Sequence, residues 1–194
     1  MQGNLVVKFI KLFFVPSVHI MLVHRIGHAI IKLWPPFNWI LLVPYAIVQF
    51  IIKVVYVAII PAKTEIGPGC VILHPFGIHL HPLAKLGKNV TIAEQVGVGA
   101  AKLSDTKFPV IGDNVYLGIG CKVMGALTIN NNTVVGANAV VLTNMPAYAL
   151  VGGVPAKVLK IKKHRNKKRR NWRRHPGNST ARIKTDNRKG VIHV

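Results

Sequence analysis

An aliphatic residue returns at every sixth position from Ile66 to Val141. The series is Ile66, Ile72, Ile78, Leu86, Ile92, Val98, Ile111, Leu117, Val123, Ile129, Val135 and Val141, all of them Ile, Leu or Val. Two steps break the spacing, from 78 to 86 and from 98 to 111. A period of six matches neither the 3.6 of a helix nor strict alternation in hairpins. It predicts a mainly β solenoid of short flat faces with the repeated aliphatic pointing inward. In six of the twelve cases the next residue is Gly (Gly67, Gly87, Gly99, Gly112, Gly118, Gly136), which the pattern assigns to relief of the corner. Hexads taken in threes give coils at 66–83, 86–103, 111–128 and 129–146. Ala84-Lys85 then bulges at a corner, and 104–110 forms a loop leaving the coil.

Upstream the pattern changes. Residues 4–15 are apolar around Lys8 and Lys11 and end at Pro16. Residues 18–33 read as a helix with His24, His28 and Lys32 at i, i+4, i+8 and Arg25 beside them. A turn at Pro35-Pro36-Phe37-Asn38 leads into 39–60, almost wholly apolar and long enough to span a bilayer. Tyr45, Gln49, Lys53 and Tyr56 draw one narrow polar stripe along it, and Pro44 interrupts its first turns. A stripe suits a helix lying in or re-entering a membrane interface; a helix packed on the end of the solenoid is the alternative. Three regions are expected: membrane-associated helices over 1–60, the solenoid over 61–161, and a tail over 162–194.

Composition sharpens this reading. The 194 residues carry 26 Lys+Arg against 5 Asp+Glu, a formal charge of +21. Such an excess points to an anionic partner. From Lys160 to Lys189 there are 14 basic residues and one acid, so the tail is expected to be disordered when free. It holds one aromatic, Trp172, and no stacking platform for nucleic acid, so an anionic lipid surface is the more economical partner. Five acids leave few candidates for paired-carboxylate catalysis. Cys70 and Cys121 sit at different repeat positions, which argues against a structural disulfide and fits a reducing cytosol. There is no A-x-A-like site after a short apolar core, so no signal peptide is assigned.

Three segments carry a family likeness: Ile66-Gly-Pro-Gly-Cys-Val-Ile-Leu-His74-Pro-Phe-Gly77-Ile, the loop at 99–110, and Val151-Gly-Gly-Val-Pro-Ala-Lys157. They resemble the hexapeptide-repeat acyltransferases, in the branch of the serine acetyltransferases and their relatives that O-acetylate exopolysaccharides. The resemblance covers about 60 to 161. It implies a left-handed parallel β-helix, a homotrimer with sites between subunits, acetyl-CoA as donor, no metal, and a His general base matched by His74. Departures accompany the match. The family has Asp before the base, where this chain has Leu73. It has Arg-His-Pro at the loop's end, where this chain has Lys107-Phe108-Pro109. Both count against serine as acceptor and in favour of a hydroxyl on a sugar or exopolysaccharide precursor at the inner face of a bacterial cytoplasmic membrane. The alternatives are a serine O-acetyltransferase and a solenoid scaffold without activity that binds membrane or RNA.

A hydroxyl attacking a thioester needs a base near neutral pH, a role His74 can fill. Because Ile72 and Ile92 hold the same place on successive coils, His74 and Glu94 are expected to stack about 4.8 Å apart at the backbone. Glu94 is then an orienter of the base, a substrate ligand, or a surface acid. His79 and His81 follow on the next face as acceptor contacts, His81 being otherwise a corner residue, and Phe108 of the loop is a further candidate acceptor contact. A His74/His79 zinc site lacks a third histidine, since none occurs from 82 to 163. Gly99, Gly118 and Ala137 are small residues along which a pantetheine arm could lie, with one N–H for an oxyanion. The resemblance assigns Lys157 and Lys160 to the CoA phosphates.

Overall fold

The computed structural model describes residues 16–162; the apolar run at 4–15 and most of the basic tail lie outside the described residues. Among the described residues two helices precede fourteen strands, nearly all two or three residues long. The strands stack in three sheets. One face holds β1 (Glu65–Ile66), β4 (Lys85–Leu86), β7 (Val110–Ile111) and β10 (Thr128–Ile129). The second holds β2 (Val71–Ile72), β5 (Thr91–Ile92), β8 (Tyr116–Leu117), β11 (Val134–Val135), β13 (Ala149–Gly152) and β14 (Lys157–Ile161). The third holds β3 (His79–Leu80), β6 (Gly97–Gly99), β9 (Lys122–Met124) and β12 (Val140–Val141). All pairings are parallel except β13 with β14, which closes the second face antiparallel. This is a three-sided parallel solenoid. All twelve aliphatics of the hexad series are buried, from Ile66 at 7 % exposed to several at 0 %. They form one continuous core, because each coil alone is too thin to bury its own side chains.

Two details of the corners differ from expectation. The glycines that follow the inward aliphatics do not have positive φ. All but Gly99 are needed for room: a Cβ on Gly67 would stand 2.4 Å from the Gly87 carbonyl oxygen, and one on Gly118 would stand 2.7 Å from that of Val135. The left-handed turn comes later in the hexad, at Gly69, Asn89, Asn114 and Asn132 on one corner and at Gly77, Gln95, Gly120 and Asn138 on the next. Asn tolerates that region better than most residues because its short side chain can bond locally; here Asn89 Nδ2 also donates to Asn114 Oδ1 on the next coil at 3.2 Å.

The eight-residue step is also placed differently. Lys85 pairs with Glu65 within β4 and Ala84 is buried, so neither bulges. The excess falls earlier. Ile72 pairs with Ile92 and His79 with Gly97, so seven residues on the first coil oppose five on the second. Leu80, not Ile78, therefore holds the inward place opposite Val98, and Ile78 is an additional buried residue. The surplus pair sits at His74-Pro75, because Gln95 N–H already donates to Phe76 O at 2.8 Å. The loop after β6 begins at Ala100, and Val110 belongs to β7.

Helix α1 (Pro16–Ile30) begins at Pro16, whose missing N–H costs nothing at a first helical position, and ends before Lys32. Its polar residues face inward. His24 Nε2 bonds Thr64 O at 3.2 Å, Arg25 donates to Ile66 O and Gly67 O at 2.6 Å each, and His28 Nδ1 bonds Ala62 O at 2.8 Å. These carbonyls belong to the first coil, whose outer edge has no further coil to pair with, so α1 caps it. Helix α2 (Phe37–Tyr56) is antithetical: of its twenty residues only Ile52 is buried. It crosses α1 where Gly27 leaves space for the Tyr45 ring, 2.3 Å from where a Cβ would be. The chain leaves α2 through Val57 at φ +50°, a strained place for a β-branched residue, and Ile59 is already paired with His79. The apolar run of 39–60 is thus divided between a helix and the first coil.

Candidate active site

The corner between the second and third faces collects His74, Glu94, Gly118 and Ala137, one from each successive coil. His74 is exposed on the two-residue bulge, with Pro75 buried behind it. The bulge corrects the stacking expectation: the register places Phe76 against the 94–95 turn, and no hydrogen bond or ion pair joins His74 to Glu94. Glu94 is half-buried and is distinguished from the other acids by elimination. Glu65 pairs with Lys85 at 3.1 Å. Asp105 accepts from Ala101 N and Lys102 N at 2.8 and 2.9 Å. Asp113 accepts from Lys88 N at 2.7 Å. Among the described residues Glu94 alone keeps its carboxylate uncommitted within the chain, next to the corner that carries His74.

The two histidines of the third face are held in opposite tautomers. His79 Nδ1 lies 3.1 Å from Gly77 O, and since a carbonyl only accepts, Nδ1 carries the hydrogen and Nε2 has a free lone pair. His81 Nδ1 accepts from Leu83 N–H at 3.1 Å, which leaves Nε2–H as a donor. The His81 ring stacks on Phe108 at 3.9 Å with planes 10° apart. His81, Phe108 and Gly99 thereby share the corner after the third face, one face away from His74.

The residues expected to hold the donor are divided in the same way. Gly118 and Ala137 lie on the His74 corner and Gly99 on the other. Gly118 cannot supply an oxyanion donor, because its N–H is spent on Val135 O at 2.9 Å. A Cβ on Gly99 would meet only His81 Cβ, at 3.9 Å, so its surface is open. Lys157 and Lys160 are exposed on β14 at the end of the second face. Sequence reasoning missed Lys122, which is exposed beside the His74 corner with its Nζ on Gln95 O. Its signal was available, since it stands one residue before the inward Val123 and so points outward. Burial pushes the Cys70 thiol up to about 11 and that of Cys121 to about 12, so both stay protonated and neither is an acyl-accepting nucleophile. Among the described residues no group of three His, Cys, Asp or Glu could hold a metal.

A three-sided parallel coil with a histidine on a corner bulge defines a class of hexad-repeat proteins, and comparison with known proteins agrees. Residues 108–143 match the family described as bacterial transferase hexapeptide, six repeats. The serine acetyltransferase of Staphylococcus xylosus is 40% identical over 97 residues, 50% of this chain and 45% of that protein. The serine acetyltransferase of Helicobacter pylori strain J99 is 30% identical over 153 residues, 78% of this chain and 86% of that protein. A solved serine acetyltransferase in complex with CoA superposes with a TM-score of 0.64 at 26% identity, covering 75% of this chain and 57% of that one. The chain belongs to the hexapeptide-repeat transferase family, among relatives named serine acetyltransferase, and its fold is the left-handed parallel β-helix of that family. It spans about half the length of the Staphylococcus relative it matches.

Proposed function

We propose that the chain is an acetyl-CoA-dependent O-acetyltransferase with His74 as its general base. The observation that carries this reading is the bulge itself: two surplus residues lift one exposed histidine out of the coil at a corner that also holds the uncommitted Glu94. The acceptor hydroxyl oxygen attacks the thioester carbonyl while His74 takes its proton. The tetrahedral intermediate then collapses, the C–S bond breaks, and the CoA thiolate leaves with the proton returned by the imidazolium. Two protonated thiols, Cys121 buried and Cys70 half-buried, favour direct transfer over an acyl-enzyme. Glu94 serves as a ligand to the acceptor or, on closure of the site, as a partner to His74. Ala137, exposed on the same corner, replaces Gly118 as the nearest backbone donor for the oxyanion.

The split of the expected residues over two corners supports a homotrimer, in which the His74 corner of one subunit meets the Gly99–Phe108 corner of the next. Exposed Val71, Tyr116 and Ile119 on and beside the second face supply apolar area for such packing. CoA would lie in that seam with its phosphates toward Lys157 and Lys160, a reading supported by the relative solved with CoA. Among acceptors, the relatives' names back serine more than the sugar hydroxyl expected from the sequence. One observation favours the second: an exposed Leu73 beside His74 and the flat His81–Phe108 stack offer apolar walls suited to a sugar ring rather than to an amino acid's charges. The location that fits is the cytosolic leaflet of a membrane, with α2 at the interface and the basic tail adding attraction.

The deciding experiment is thioester consumption by the full chain over a panel of hydroxyl acceptors, with serine and glycans side by side. Turnover with serine at a kcat/KM at or above that of every glycan removes the sugar reading. Absence of thioester consumption with any acceptor, and no change on replacing His74 by Ala, leaves a scaffold.

A further inference from the structure

We propose that the first coil binds an amphiphile with a phosphate head and an apolar chain, seated astride Ala62–Lys63. Two cavities of about 530 Å³ each are lined by consecutive residues here, one by Ala62 and the other by Lys63. The first lies between α2 and the chain at 58–62. Its walls are Leu42, Ala46, Phe50 and Ile60, and its few polar groups are those of the stripe, with Gln49 Nε2 donating to Tyr45 Oη at 2.6 Å. The second begins at the next residue. Lys63, Lys85 and Lys107 wall it, and its one acid, Glu65, is already paired with Lys85 at 3.1 Å. Three lysines against one carboxylate leave two positive charges facing open space, complementary to a phosphate dianion. Each volume is of the size that holds a small ligand.

The junction between the cavities is rigid. Thr64 is 0 % exposed, its Oγ1 donates to His81 O at 3.1 Å and its carbonyl accepts from His24. Phe108, which forms part of the second cavity, is the ring stacked on His81, so a head group held there lies against the candidate site. The apolar cavity opens beside α2, whose outer residues Trp39, Ile40 and Val43 are each about two-thirds exposed. A free phosphate would satisfy the lysines and leave the apolar cavity unused. A neutral lipid would do the reverse. One molecule carrying both parts satisfies both, and burying its chain follows the ordinary transfer of CH₂ groups out of water. That the amphiphile also carries the acceptor hydroxyl rests on the glycan reading above; its binding does not.

The test is native mass spectrometry of the full-length protein in an uncharged maltoside micelle, titrated with farnesyl phosphate, farnesol or inorganic phosphate. Farnesyl phosphate is expected to be retained, one per chain, at roughly tenfold lower concentration than either fragment, the order of one charge-assisted phosphate contact. The double change Lys63→Gln with Lys107→Gln should cost about tenfold in retention, and Lys63→Arg with Lys107→Arg should restore it. Ala46→Phe, which fills the apolar cavity, should lower retention of farnesyl phosphate but leave that of inorganic phosphate unchanged. Equal retention of inorganic phosphate, equal retention of farnesol, or indifference to all these changes each overturns the proposal. Both lysines are exposed, and matching thermal transitions would show that the variants fold. Thioester consumption measured on the same samples separates the two readings. Protein that transfers acetyl but does not retain farnesyl phosphate fails only this proposal, and protein that retains it but transfers nothing fails only the enzymatic one.

Discussion

The solenoid and the helical pair solve opposite problems with the same residues. In the solenoid the aliphatics point inward and the lysines, asparagines and histidines point out. In α1 the arrangement is mixed: Ile20 and Ile30 are buried, but so is His24 at 1 % exposed, and Arg25 spends its guanidinium on carbonyls, while Leu22 and Ile26 are about half exposed. In α2 almost everything apolar is outside. The difference teaches that amphipathicity tells which side of an element is unlike the rest, not which side faces water. A coil edge presents bare carbonyls, so the polar side of α1 has its best partners there, and the apolar side is left for a membrane or a ligand.

The largest effect that can test this contrast is chemical. His74→Ala should lower kcat by ~10²–10⁴ with CoA affinity nearly unchanged, since the His74 side chain is exposed and packs in no core. Steady-state kinetics with a separate CoA titration checks it, and loss of CoA binding would mean that the corner is structural instead. Next come changes to the core. Leu117→Ala, at 0 % exposure, should destabilise by ~2–5 kcal/mol, and Gly118→Ala should unfold the neighbouring coil because the added Cβ meets backbone. Gly99→Ala should leave the thermal transition in place, since only His81 Cβ stands near, at 3.9 Å.

Replacing Trp39 and Phe50 together by Lys is expected to leave the solenoid's thermal transition intact but to abolish salt-resistant binding to vesicles. Cosedimentation at low and high salt measures this. Variants that still bind at high salt would show that the apolar face of α2 is not the contact.

The smallest expected effect is a pH dependence at the α1 interface. Burial lowers the His24 pKa from its ordinary 6.5, and the flanking Arg25 and His28 add to this; no carboxylate faces it. Its Nδ1 is buried without a partner. The unfolded chain therefore takes up a proton that the folded chain resists. The stability tied to neutral His24 is present above about pH 6.5 and is lost as pH falls below it. Protection factors of α1 amides, observed exchange corrected for its intrinsic pH dependence, should fall between neutral pH and pH 5, and His24→Gln should flatten that response.

The hexad aliphatics were readable because a period of six admits one arrangement: every sixth side chain can be inward only if each face is one short strand and each corner one turn. The core therefore followed from spacing alone. Spacing could not place the surplus pair of the eight-residue step, since Ile78 and Leu80 are equally apolar and either could hold the inward position. Hydrogen-bond register decided it, through His79 against Gly97 and Gln95 against Phe76, and this moved His74 out of line with Glu94. The histidine's motif was legible and its neighbour was not, because a motif is local while a neighbour one coil away depends on every residue between. The polar stripe of α1 was legible too. Which way it faced was settled only by tertiary structure, because the partners it bonds are main-chain carbonyls at the end of a coil, groups every residue carries and no side-chain pattern records.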